Sequence, residues 1–85
     1  MILMMPAFYK RQPIQDTPYR QLVLERKDGK WTVRLMGGTK WGRESRKKLK
    51  VIRANSFGAA REQFDRLFGE LEDEGWKVYS PFEPW

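Results

Sequence analysis

The chain contains neither cysteine nor histidine. Without thiols no disulfide can staple the fold, and no thiolate can act as nucleophile or metal ligand. Without imidazole the commonest metal ligand and the commonest general base at neutral pH are both missing. Ser45, Ser56 and Ser80 therefore have no histidine to activate them, which removes the usual route to nucleophilic catalysis. Long apolar runs are lacking too. The opening MILMMP is apolar for five residues and has no basic side chain ahead of Pro6, whereas a secretory leader needs an apolar region of roughly 7–15 residues behind a basic start. No window approaches the ~20 apolar residues of a membrane span. The expectation is a soluble cytoplasmic protein with no membrane partner.

Phosphate-loop and metal chemistry are equally poorly provided for. Gly37-Gly38 lacks the Gly-Lys-Ser/Thr sequence and the following helix of a nucleotide-binding loop. The acidic cluster Glu70, Glu72, Asp73 and Glu74 stands at the end of a helical pattern, where the helix dipole disfavours carboxylates. It has no His, Cys or second carboxylate motif to join it, so no metal, cofactor or catalytic residue is assigned, and no enzyme is expected.

What the chain does have is aromatic bulk and lopsided charge. Its 85 residues make one small domain, which buries only about 60–65% of the surface exposed by its unfolded form. Twelve aromatic residues must supply much of that core. Residues 1–54 carry a formal charge of +10 and residues 55–85 a charge of −4, out of a net +6. A one-sided basic surface is the electrostatic footprint of a nucleic-acid binder.

The pattern along the chain orders these features. Residues 1–18 hold three prolines and no sustained period, and read as an extended N-terminal arm. From Tyr19, the segment YRQLVLERKDGKWTVRLMGG alternates and turns at Asp28-Gly29, the strongest short-range hairpin signal. A two-residue loop pairs Lys27 with Lys30, Arg26 with Trp31, Leu24 with Val33 and Leu22 with Leu35. That register gathers Leu22, Leu24, Trp31, Val33 and Leu35 on one face, so turn chemistry and hydrophobic alternation agree. Gly37-Gly38 is expected to break the strand, TKWGR to form a third, and KLKVIR (48–53) a fourth. The fourth would have Leu49 and Val51 on the core face and Lys48, Lys50 and Ile52 opposite. Arg34, Lys48 and Lys50 would then share the open face.

Asn55 or Ser56 is a suitable helix N-cap. The following segment repeats apolar residues at 57, 60, 64, 67, 68 and 71, one face of a helix, and Gly75 is its natural terminator. Gly69 would let the helix approach the sheet. Residues 77–85 form a C-terminal tail packed on the domain. The fold class expected is α+β, an antiparallel sheet of three to four strands with one helix packed on one face.

The densest chemistry lies in KWGRESRKKLKVIR (40–53), where seven of fourteen residues are Lys or Arg and only Glu44 is acidic. Lys40, Arg43, Arg46, Lys47, Lys48, Lys50 and Arg53 could match the phosphates of one or two turns of duplex. Edge protection against aggregation would also use lysines, but needs fewer. Trp41 has two fates open to it. Pointing outward it would stack on a base, worth about 1–3 kcal/mol; pointing inward it is core.

At this point the order of elements resembles the WGR domain, named for the tripeptide present here as Trp41-Gly42-Arg43. The similarity covers residues 19–76. YRQL resembles the family's opening Tyr-x-x-Leu, GKWTV its second strand, and AAREQFDRLFGELEDEGW its Ala-x3-Phe-x3-Phe helix ending in a Gly-aromatic pair. Ala60, Phe64, Phe68 and Trp76 occupy those helix positions. The loop departs from the family: Glu44-Ser45-Arg46-Lys47 replaces the usual hydrophobic residue and glycines. The resemblance implies an antiparallel sheet with one helix, a nucleic-acid-binding role, and DNA contact by Trp41 and Arg43. Family members occur beside poly(ADP-ribose) polymerase catalytic domains, and the sequence has no room for such a domain.

The function expected is a non-enzymatic DNA-binding module with little sequence specificity, DNA being favoured over RNA. It would neutralise phosphates through Lys40, Arg43, Arg46, Lys47, Lys48, Lys50 and Arg53, with Arg34 nearby and Trp41 stacking. The alternative is a protein-interaction module that docks an acidic partner through its basic face or accepts a strand on its sheet edge.

Overall fold

A computed structural model describes residues 1–10, 18–39 and 47–78 of the chain. Within them the fold is α+β: one helix packs on a six-stranded antiparallel sheet. The strands are β1 (Ile2–Met4), β2 (Ala7–Tyr9), β3 (Pro18–Lys27), β4 (Lys30–Thr39), β5 (Lys47–Ala54) and β6 (Lys77–Val78), with α1 (Phe57–Asp73) between the last two. Their order in the sheet is β5-β4-β3-β2-β6, and β1 pairs with β3 off that path.

The β3–β4 hairpin is the spine of the domain. Asp28 and Gly29 both adopt positive φ, 53° and 76°, the turn geometry whose twist matches that of two paired strands. The ladder runs Lys27↔Lys30, Arg26↔Trp31, Leu24↔Val33 and Leu22↔Leu35, the register required by the alternation. Leu22, Leu24 and Val33 consequently lie on one face and are fully buried there with Phe8. Each such side chain contributes about 1.5–3 kcal/mol relative to exposure. Ala60, Phe64, Leu67 and Leu71 of α1, together with Trp76, close this core from the other side.

The helix is bounded as its sequence requires. Ser56 is the N-cap, its hydroxyl accepting from the Ala59 N–H at 3.2 Å. At the other end Gly75, at φ 93°, lets its N–H reach the Glu72 carbonyl at 3.0 Å and the Trp76 N–H reach the Leu71 carbonyl at 3.0 Å. This is a Schellman ending. It places Trp76 against Leu71 in the core.

Several expectations are corrected. Among the described residues the sheet has six strands rather than three to four, because β1, β2 and β6 are segments of two or three residues held by pairing with distant partners. Strands so short carry no local period to read. Much of the segment read as an arm is thus built into the sheet: Ala7, Phe8 and Tyr9 pair with Gln21, Arg20 and Tyr19. Gly37-Gly38 does not break β4, which continues to Thr39 with Gly37 paired to Arg20 on one side and Lys47 on the other. Gly69 plays no part in close approach, since a Cβ there would meet nothing within 4 Å. The remainder of the expected third strand, the turn after it and tail residues 79–85 lie outside the described residues.

The faces of β5 differ in part from those expected: Lys48 lies on the open face with Arg34 as expected, but Val51, Ile52 and Lys50 do not lie where expected. Val33 pairs with Ile52 and Arg34 with Val51, so Ile52 joins the core while Val51 faces away from the helix, 42% exposed. The register then shifts between Leu35, opposite Lys50, and Met36, opposite Lys48, leaving Leu49 as the extra residue of a bulge. Lys50 therefore falls on the helix side with Leu35, while Lys48 falls with Met36 and Arg34 on the other.

Candidate nucleic-acid interface

β5 is the edge strand of the sheet, hydrogen-bonded among the described residues to β4 alone. Residues 47–51 and 53 are exposed. Both sides of this edge carry cations. Lys48, opposite Met36, and Arg53, opposite Thr32, project away from the helix; Lys47, opposite Gly37, and Lys50, opposite Leu35, project on the helix side. Leu49 and Val51 stand exposed between them at 50% and 42%.

Ion pairing separates this edge from the rest of the molecule. On α1, Arg61 is held by Asp65 at 2.9 Å and Arg66 lies 3.9 Å from Glu70, each one helical turn away. Among the described residues, none of Lys47, Lys48, Lys50 and Arg53 is paired with a carboxylate. Four uncompensated cations on one open strand create a positive potential that an anionic ligand can neutralise.

Arg34 is placed near this group but engaged elsewhere. Its Nε lies 3.1 Å from Glu25 Oε1 on the face away from the helix, with side-chain exposures of 24% and 18%. The contact is an ion pair by distance; the buried Nε makes no directed hydrogen bond. Lys40, Trp41, Arg43 and Arg46 lie outside the described residues. In the sequence they fall between Thr39, the last residue of β4, and Lys47, the first of β5.

Two further cations, Arg20 and Lys10, are not among the residues assigned to the interface from the sequence. Arg20 sits one place beyond β4 in the same cross-strand row, Arg20–Gly37–Lys47. Its guanidinium carbon is 4.7 Å from the centroid of the Trp76 ring, and Lys10 Nζ is 5.0 Å from the same ring. A signal for Arg20 did exist, since alternation from Leu22 and Leu24 assigns it to the helix side. Gly37 stands between Arg20 and Lys47 in that row, and its missing Cβ leaves the space used by Arg20 Nη1 and Leu49 Cδ1.

Among the described residues no group of three or more acidic side chains converges as metal ligands, and no helix is long and apolar enough to cross a membrane. No protein-family model matches the chain, and neither a curated protein nor a solved structure matches it significantly.

Proposed function

We propose that this protein is a small non-enzymatic DNA-binding module of WGR-like type, acting in the cytoplasm, that grips phosphates through the β5 edge and the loop leading into it. The observation that carries this reading is the set of exposed, unpaired cations on β5: Lys47, Lys48, Lys50 and Arg53. Lys40, Arg43 and Arg46 on the adjoining loop would extend the charged track, and Trp41 would stack on a base. Phosphate contacts position a protein without reading bases, so sequence preference is weak.

The test is anisotropy of labelled nucleic acid across roughly 50 to 200 mM salt, where log affinity falls with a slope of about −0.9 per duplex phosphate contacted. A slope near −4 or steeper, abolished in Lys47→Glu/Lys48→Glu, is the expected result. An absence of binding even at low salt overturns the reading.

One observation favours the second reading, a protein-interaction module. Among the described residues β5 is an open edge that also exposes Leu49 and Val51, and such an edge can accept a strand from a partner. Docking of that kind survives both high salt and the double charge reversal.

A further inference from the structure

The basic edge carries cations on both of its sides, and this bears on what kind of nucleic acid it fits. We propose, resting on the DNA-binding reading above, that the ligand is duplex DNA and that the β5 edge enters its major groove, Lys47 and Lys50 holding the backbone of one strand while Lys48 and Arg53 hold that of the other. The register shift between Leu35 and Met36 places Lys50 on the helix side and Lys48 on the opposite side; Lys47 falls with Gly37 and Arg53 with Thr32. A regular strand would have put Lys48 and Lys50 on the same face. It would also have put Lys47 with Arg53; the bulge keeps two cations on each face and changes the pairs to Lys47 with Lys50 and Lys48 with Arg53.

Distance supports a groove rather than a single track. Face-to-face sheets pack about 10 Å apart, so side-chain layers extend about 5 Å from each face and cations on the two faces of one strand stand on the order of 10 Å apart. A single-stranded backbone following one face would leave the other pair unsatisfied. The major groove of B-DNA is about 12 Å wide with a phosphate backbone along each wall, and it admits β-strands; the minor groove, at about 6 Å, is too narrow. Duplex RNA closes its major groove to such entry by making it deep and narrow.

The edge is built to be inserted. β5 has no neighbour beyond it among the described residues, and the side chains from Lys47 through Val51 are exposed on both faces. The helix does not block the helix side at this end. Its N-terminal Phe57 packs on Trp31, which pairs with Ala54 at the far end of β5. Its C-terminal end leads into Trp76 and then β6, across the sheet beside β2.

The experiment compares short duplex DNA, each of its single strands and the matched RNA duplex by anisotropy, with hydroxyl-radical footprinting of both DNA strands. The variants are Lys47→Ala/Lys50→Ala and Lys48→Ala/Arg53→Ala, whose exposed side chains leave the circular dichroism unchanged. Duplex DNA is expected to bind more than about tenfold tighter than the other ligands, a discrimination within the specific-to-nonspecific range of DNA binders. Each double variant should lower the magnitude of the salt slope by about two. Each should also erase protection on one strand while sparing the other. Equal affinity for duplex and single strand, a duplex affinity indifferent to either double variant, or protection confined to one strand overturns the groove inference and leaves DNA binding standing. Binding to none of the ligands overturns both.

Discussion

The guanidinium of Arg20 lies over the indole of Trp76, 4.7 Å from the ring centroid, and reaches it across Gly37, where Arg20 Nη1 would stand only 2.9 Å from an added Cβ. One residue of β3 is thereby tied to the residue that ends the helix turn. Arg20→Ala should cost about 1 kcal/mol from the lost cation–π contact. Gly37→Ala should also destabilise, because its methyl would meet Leu49 Cδ1 at 2.6 Å as well as Arg20. Both obstructing atoms end flexible side chains, which limits the cost to about 1–2 kcal/mol. The two changes should be non-additive: urea unfolding of the double variant should show Gly37→Ala costing less once Arg20 is gone.

Glu25 is the ion-pair partner of Arg34. Glu25→Gln removes the negative charge of a pair whose side chains are 24% and 18% exposed, leaving Arg34 uncompensated. Partial exposure discounts the cost to about 1 kcal/mol. The same change frees a cation on the side of the sheet that carries Lys48. On the proposed DNA-binding function, affinity for DNA should rise and the salt slope steepen by about 0.9. A variant less stable yet tighter-binding is the outcome to look for; weaker binding would remove Arg34 from the interface.

With Val51 outside and Ile52 inside, β5 should respond in opposite ways at adjacent positions. Val51→Lys should change stability by no more than about 0.5 kcal/mol, since Val51 is exposed on the sheet face away from the helix. Ile52→Lys should cost about 1–3 kcal/mol, because Ile52 packs against the core opposite Val33. Thermal unfolding of the two variants distinguishes this arrangement from one with Val51 inside.

The caps and turns should each show a local cost. Gly75→Ala places a Cβ at φ 93°, and Gly29→Ala places one at φ 76°. Neither Cβ would meet an atom within 4 Å, so the penalty is one of backbone conformation, about 1–2 kcal/mol. Ser56→Ala removes the hydroxyl that accepts from the Ala59 N–H and should cost about 1 kcal/mol. Chemical denaturation of the three variants, with unchanged m-values, would confirm local causes.

Legibility followed the range of the forces involved. The β3–β4 register was readable because Asp28-Gly29 imposes positive φ locally and the alternation on both sides permits one pairing. The helix was readable for a similar reason. Ser56, the apolar repeat through Leu71 and Gly75 act within a turn or two of chain. Of the candidate site, the charge density of Lys47, Lys48, Lys50 and Arg53 was evident at once. The direction of each side chain was not, because a bulge is decided by the strand alongside.

The sequence by itself thus determined an α+β domain, a hairpin of one register, a helix with defined ends and a basic segment between them. Tertiary structure alone decided that residues near both ends of the chain become strands, that Ile52 rather than Val51 enters the core, that Arg34 is occupied by Glu25, and that Arg20 joins the row of Gly37 and Lys47. The physical reason is the same in each case. Local conformational preferences are written in a few consecutive residues, whereas pairing, bulges and ion pairs depend on which distant segment arrives opposite.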